Sequence, residues 1–363
     1  MSRARLLVVT TTTLTFSACA TFGTLQSRSH KEFLTPAERA AAIARARVWS
    51  PTRVAAMNLR AGPQGRDSFA PEQTVSCDYV DKKLSGNTPK FACKANGEEL
   101  KVRYGRTNGE VYAGVAASRL LWALGFGADA LYPVHVLCRG CPASLHGDGI
   151  QGHDAVRFDV AAIERKMPGH DMETREVAGW AWPELDRVDT QRGGAPAAQR
   201  DALKLLAVLI QHTDSKAEQQ RLLCPDDEGH KKDLAACPRP LMMIHDVGQT
   251  FGTGNQFNRQ AVGSVNLREW KNTPVWKDAS RCVGNLTQSQ TGTLVDPRIS
   301  EDGRAFLARL LAQLTDGQLR DLFGVARFEM RPQPDGHPTT IDEWVDAFKE
   351  KRREIVSARC SEP

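Results

Sequence analysis

Long apolar runs are missing from these 363 residues. No stretch reaches the roughly 18 apolar residues that a membrane-crossing helix needs, so no helical span is expected. Dense Lys/Arg clusters interleaved with aromatics are also absent. The net charge of +5 is mild, and a nucleic-acid partner is not expected. There is no internal repeat and no low-complexity tract, which removes solenoids and disordered tails from consideration. Charged residues at 25% and hydrophobic residues at 41% are ordinary globular values. The length is enough for one large or two medium domains with a sizeable core.

The amino terminus carries Arg3 and Arg5, then a Thr-diluted apolar stretch from Leu6 to Phe16, then the small residues Ser17-Ala18-Cys19-Ala20. This is the pattern of a secretory signal peptide, expected over residues 1–19. Two cleavage readings stand. Phe16-Ser17-Ala18-Cys19 resembles a bacterial lipobox, which would make Cys19 a lipidation site and anchor the chain to a membrane. Ala18-x-Ala20 also suits an ordinary signal peptidase. Either way the expected location is outside the cytoplasm, in a periplasm or on a membrane surface.

Without Cys19, eight cysteines remain. An even count fits an oxidising compartment. Cys224 and Cys237 flank the charged loop between two apolar runs, Arg221–Cys224 and Leu241–Ile244, that read as the arms of a hairpin. A bridge between them would close a loop of about 13 residues and contribute roughly 3 kcal/mol. Cys77 with Cys93 suits neighbouring strands, and Cys282 with Cys360 is the remaining pair. Cys138-Arg139-Gly140-Cys141 reads as a local disulfide. Its alternatives are a redox CxxC, for which no thioredoxin-like frame is visible, and a zinc site recruiting His146 or His153.

In chain order, residues 20–70 read as a linker and a helix opened by Thr35-Pro36-Ala37-Glu38. Strands are expected at Val75–Val80, Phe91–Lys94 and Leu100–Tyr104, with Asn96-Gly97 as a hairpin turn. A helix from Gly109 to Leu124 stops at Gly125, and Leu131–Leu137 alternates as a strand. Ala198–His212 is strongly helical. It delivers His212-Thr213-Asp214-Ser215-Lys216-Ala217-Glu218-Gln219, and the second hairpin arm delivers His245-Asp246-Val247-Gly248.

These two acidic loops, in this order around a hairpin, resemble the catalytic and metal-binding loops of the protein-kinase-like superfamily, nearest its secreted casein-type, HipA-like and phosphoinositide-kinase-like branches. The resemblance implies an α+β, bilobal fold: a small β-rich N-lobe over 71–137 and a larger, mainly helical C-lobe over 138–363. Asp214 would orient or deprotonate the acceptor hydroxyl, and Lys216 would face the γ-phosphate. Asp246 would bind the main metal, with Gln219 offering an amide oxygen where the family has Asn. The turn at Gly86 would cover the phosphates of ATP or another nucleotide bound with Mg²⁺ or Mn²⁺, and Lys101 would reach them. The helix after Lys101 should supply a Glu to pair with it; by spacing that position holds Gly114, and Glu110, one turn earlier, would substitute. The implied function is an exported phosphotransferase acting on an unnamed protein or small-molecule acceptor. Gly114 and Gln219 keep open a pseudokinase that binds or scaffolds without turnover.

Overall fold

The β-strands fall where β-branched and apolar residues alternate between turn signals. A computed structural model describes residues 33–65, 67–226, 233–254, 263–287 and 292–360. The expected signal peptide, 1–19, and the lipidation site Cys19 lie outside the described residues.

The architecture is α+β. A capping box at Thr35 and Glu38 opens helix α1 (Pro36–Ala44). Strands β1 (Gln73–Val80), β2 (Lys90–Ala95) and β3 (Glu98–Tyr104) form a meander. Asn96 and Gly97, both at positive φ, make its second turn. Helix α2 (Gly109–Ala123) follows, and then β4 (Ala130–Arg139), which runs parallel to β1. Gly125 at φ 87° closes α2: Phe126 donates to the Leu121 carbonyl and Gly125 to that of Trp122, the αL stop that favours Gly.

After the short β5 (Ile150–Gln151), β6 (Ala155–Arg165) pairs with β4 along one side and with β3 along the other. The β3–β6 pairing closes β1, β2, β3, β6 and β4 into a five-stranded barrel. Strand β6 belongs to the same barrel as β1 to β4. Inside are Cys77, Phe91, Cys93, Leu100, Val102, Tyr104, Val134, Phe158 and Ile163. Because side chains alternate across a strand, Lys101 and Arg103 of β3 face outward.

Strand β7 (Gly169–Asp171) pairs with β8 (Gln220–Pro225), and β8 with β9 (Leu241–Ile244). The expected hairpin is this β8–β9 pair. Helix α3 (Ala197–Leu209) buries Leu203, Leu206 and Leu209 in the larger core. That core also gathers α4 (Leu267–Asn272), α5 (Glu301–Leu311), α6 (Asp316–Val325) and α7 (Ile341–Ser357). The strands β10 (Trp276–Asp278) and β11 (Val283–Gly284) form a small separate pair. Trp180 and Trp182 are fully buried, so they pack rather than face a partner.

Four disulfides are formed: Cys77–Cys93, Cys138–Cys141, Cys224–Cys237 and Cys282–Cys360. The Cys138–Cys141 bridge agrees with the local-disulfide reading, and sulfurs bonded to each other offer no thiolate ligand to zinc.

Candidate functional site

Helix α3 ends in a Schellman turn. His212 donates to the Ala207 carbonyl and Gln211 to that of Val208, with Gln211 at φ 53° where Gly is usual. The reversal sends His212, Thr213 and Asp214 back toward the end of β9. There the Gln219 carbonyl accepts from two backbone N–H groups, His245 at 2.8 Å and Asp246 at 3.1 Å. So the loop from 212 to 219 and the loop from 245 to 248 are stitched to each other by the main chain. Phe251 donates to the Ile210 carbonyl at 2.6 Å, and its ring sits 5.2 Å from those of Trp270 and Phe328. The acidic loop is thereby fastened at its far end to the aromatic core.

Within this frame Gln219 Nε2 donates to Asp214 at 2.8 Å, and Lys216 Nζ lies 3.5 Å from the same carboxylate. His212 is fully buried against Trp182, and among the described residues neither ring nitrogen has a hydrogen-bond partner. Burial pushes its imidazole down to about 4, against the opposing pull of Asp214 and Asp246.

A second cluster lies on the outer face of β3. Arg103, 2% exposed, bonds Glu110 on α2, Glu164 on β6 at 2.9 Å and Asp246 at 3.1 Å. Lys101 pairs with Glu164 at 2.8 Å. Burial would raise Glu164, but Arg103 and Lys101 outweigh it and hold the carboxyl down at about 2. Burial likewise opposes ionisation of Asp246; Arg103, Lys101, His245 and the Gly248 N–H together hold it well below the usual carboxylate range. Three carboxylates around one guanidinium raise Arg103 well above its ordinary value, although burial alone would lower it.

The Glu of α2 thus pairs with Arg103, not with Lys101 as expected from sequence. Gly114, where the family resemblance asks for Glu, packs on β4: a Cβ there would stand 2.6 Å from Leu131 Cδ2. Gly248 is needed for closeness too, since its Cβ would meet Glu110 Cγ at 2.7 Å. Gly86, at φ 84° in the β1–β2 turn, sits over Lys90: a Cβ would lie 2.7 Å from the Lys90 ammonium.

Sequence reasoning therefore gathered Asp214, Lys216, Gln219, Asp246, Lys101, Glu110 and Gly86 as candidates. It missed Arg103, Glu164, Lys90, Asp129 and His245. A signal for Arg103 was present, because alternation puts it on the Lys101 face of β3. Glu164 and Asp129 had none, since only tertiary pairing brings them here.

The expected cation ligands, the Asp246 carboxylate and the Gln219 amide, carry oxygens of the kind a hard divalent cation takes, and the Asp246 side chain keeps 21% exposure. Asp129, Glu164 and His245 also lie close enough to share an ion. Their oxygens are already engaged, however. Asp129 is fully buried, paired with Arg221 at 3.0 Å and accepting from the Met167 N–H at 2.8 Å and from His245 Nδ1 at 2.5 Å. With Arg221, Arg103 and Lys101 all pressed on the two carboxylates, that trio is a buried ion-pair network rather than a cation site.

No family model matches the chain, and no curated protein matches it. Among solved structures it is similar to the crystal structure of a Helicobacter pylori proinflammatory kinase, CtkA. The two share 14% identity with a TM-score of 0.42, over 79% of this chain and 96% of that one. A likeness of that depth assigns neither activity nor ligand.

Proposed function

We propose that the chain is an exported, kinase-like protein that binds a nucleoside triphosphate with Mg²⁺ or Mn²⁺ and transfers its terminal phosphoryl group. One observation carries the reading. The loops bearing Asp214, Gln219 and Asp246 are hydrogen-bonded together, and Arg103 ties Asp246 to the β3 face that carries Lys101. Two lobes, one built on the barrel and one on the helices, belong to the same reading. The four disulfides fit export, and a lipid anchor at Cys19 remains part of the proposal.

Asp246 and Gln219 would hold the cation, whose charge neutralises the phosphates. Lys101, the turn at Gly86 and Lys216 would face those phosphates. Asp214 would take the proton of the acceptor hydroxyl as its oxygen bonds to phosphorus and the bond to the leaving nucleoside diphosphate breaks. Glu110 would position Arg103. The acceptor is a hydroxyl on a protein or small molecule.

A second reading, a pseudokinase that binds without turnover, is favoured by the Arg103–Asp246 ion pair. A guanidinium already sits on the carboxylate that the cation needs. One titration series separates the two. Asp246→Ala should abolish metal-dependent nucleotide binding. Asp214→Ala should leave binding nearly intact and lower transfer or hydrolysis about 10²–10⁴-fold. Binding by the wild type with no turnover selects the pseudokinase. No nucleotide binding with Mg²⁺, Mn²⁺ or Ca²⁺ rejects both.

A further inference from the structure

The disulfides differ in what reaches them. Cys224–Cys237 is buried at both ends, and so is Cys77–Cys93, which lies inside the barrel. In the Cys138–Cys141 bridge, Cys138 is buried among the barrel side chains but Cys141 is part-exposed. Both cysteines line a surface cavity of about 160 Å³, together with Gln151, Gly152 and His153. This bridge spans a sequence separation of 3. So short a loop restricts the unfolded chain least, and opening it costs the fold least.

Strand register sets this bridge beside the buried one. Parallel pairing puts Cys77 of β1 opposite Cys138 of β4. Neighbouring strands lie about 4.8 Å apart, and both side chains belong to the barrel interior. The next pair in the same register, Asp78 and Arg139, faces the other way. There the two side chains meet, with Arg139 Nε donating to Asp78 at 2.7 Å. Side chains matched in this register are therefore near neighbours. The sulfurs run in sequence from Cys141 at the cavity, through Cys138 and Cys77, to Cys93. That last bridge ties β1 to β2 across the turn that carries Gly86.

We propose that Cys138–Cys141 is a thiol–disulfide exchange site, and that it passes electrons between an external dithiol and the buried Cys77–Cys93 bridge. The external thiolate attacks Cys141 Sγ, and Cys138 leaves as a thiolate. Cys138 then attacks Cys77 Sγ, and Cys93 leaves. The second thiol of the reagent closes on its first sulfur and releases Cys141. Cys141 attacks Cys138 Sγ, which restores the surface bridge and frees Cys77. The dithiol is oxidised to a disulfide, Cys77–Cys93 is reduced to two thiols, and the two protons of the reagent end on Cys77 and Cys93. No thioredoxin-like frame is required, because the acceptor bridge is the neighbour on the adjacent strand. The inference stands apart from the nucleotide reading.

The experiment uses the full oxidised chain, with dithiothreitol as the probe under native conditions. Thiols are trapped by alkylation at successive times and mapped by mass spectrometry. The opening rate of Cys77–Cys93 is read relative to that of Cys224–Cys237, the other bridge buried at both ends. In the wild type Cys77–Cys93 should open first. In the Cys138→Ser/Cys141→Ser double variant that ratio should fall about tenfold or more, since the barrel must then open before reagent can enter. A general loss of stability speeds both bridges and leaves the ratio in place. An unchanged or higher ratio overturns the proposal. A second variant, Cys93→Ser/Cys141→Ser, isolates the central step. On air oxidation it should join Cys77 to Cys138; a folded variant that keeps both as free thiols also overturns the proposal.

Discussion

A single buried imidazole gives the protein an acid-sensitive side. His212 has its proton affinity depressed to about 4 in the folded chain, against an ordinary 6.5. Unfolded chains take up that proton as pH falls below 6.5, and the folded chain resists until about 4, so stability is complete above 6.5 and drains away as pH falls toward 4. Glu164 acts lower on the scale. Its carboxyl is held at about 2 rather than 4.5, so its contribution is complete above 4.5 and is lost as pH falls through 2. Acid unfolding should therefore show two limbs, each of a few kcal/mol. Urea midpoints at successive pH values check this. His212→Phe, which keeps a ring against Trp182 and discards two unpaired nitrogens, should flatten the upper limb and spare the lower. An unchanged upper limb in that variant would show that another group sets it.

Among the elements, the β8–β9 hairpin and the C-terminal helix α7 are both stapled, with very different loops. Cys224–Cys237 spans 13 residues and Cys282–Cys360 spans 78. If chain entropy governs, replacing the first pair by Ser should cost about 3 kcal/mol and the second about 4.5 kcal/mol. Denaturant midpoints of the two double variants test the order; equal losses would mean that local packing outweighs loop closure. The hairpin was readable in sequence because its signals are local: two apolar arms, a charged loop and a Cys at each end. The same holds for α2, bounded by Asn108 and Gly125, and for the Asn96-Gly97 turn. The main-chain stitch between Gln219 and Asp246 was foreshadowed only by the order of the two acidic loops.

At the scale of the whole molecule, what escaped the sequence is the pairing of distant strands. Lys101 stands opposite Glu164 in register, 63 residues along the chain, and no local pattern announces that partnership. Without it, Lys101 reads as a free phosphate ligand. The disulfide partners, by contrast, could be assembled by parity and by elimination, since eight cysteines had to be shared among neighbouring strands and loop ends. The α+β class was legible from the local strand and helix signals, while the charge distribution of the site waited on tertiary register.

The ring of strands has one more effect. Between Lys101 and Tyr104, β3 is bracketed by β2 on one flank and by β6 on the other. The flank of β6 that β3 leaves uncovered is met by β5. Strand β3 thus offers no unsatisfied border there on which a foreign strand could template, the route by which exposed sheets aggregate. Deuterium should enter the amides of Lys101 to Tyr104 only through large-scale opening, far later than it enters the β1–β2 turn around Gly86. Early labelling of β3 in a time-resolved mass measurement would mean that the ring breathes there and that the charged face it carries is not held rigid.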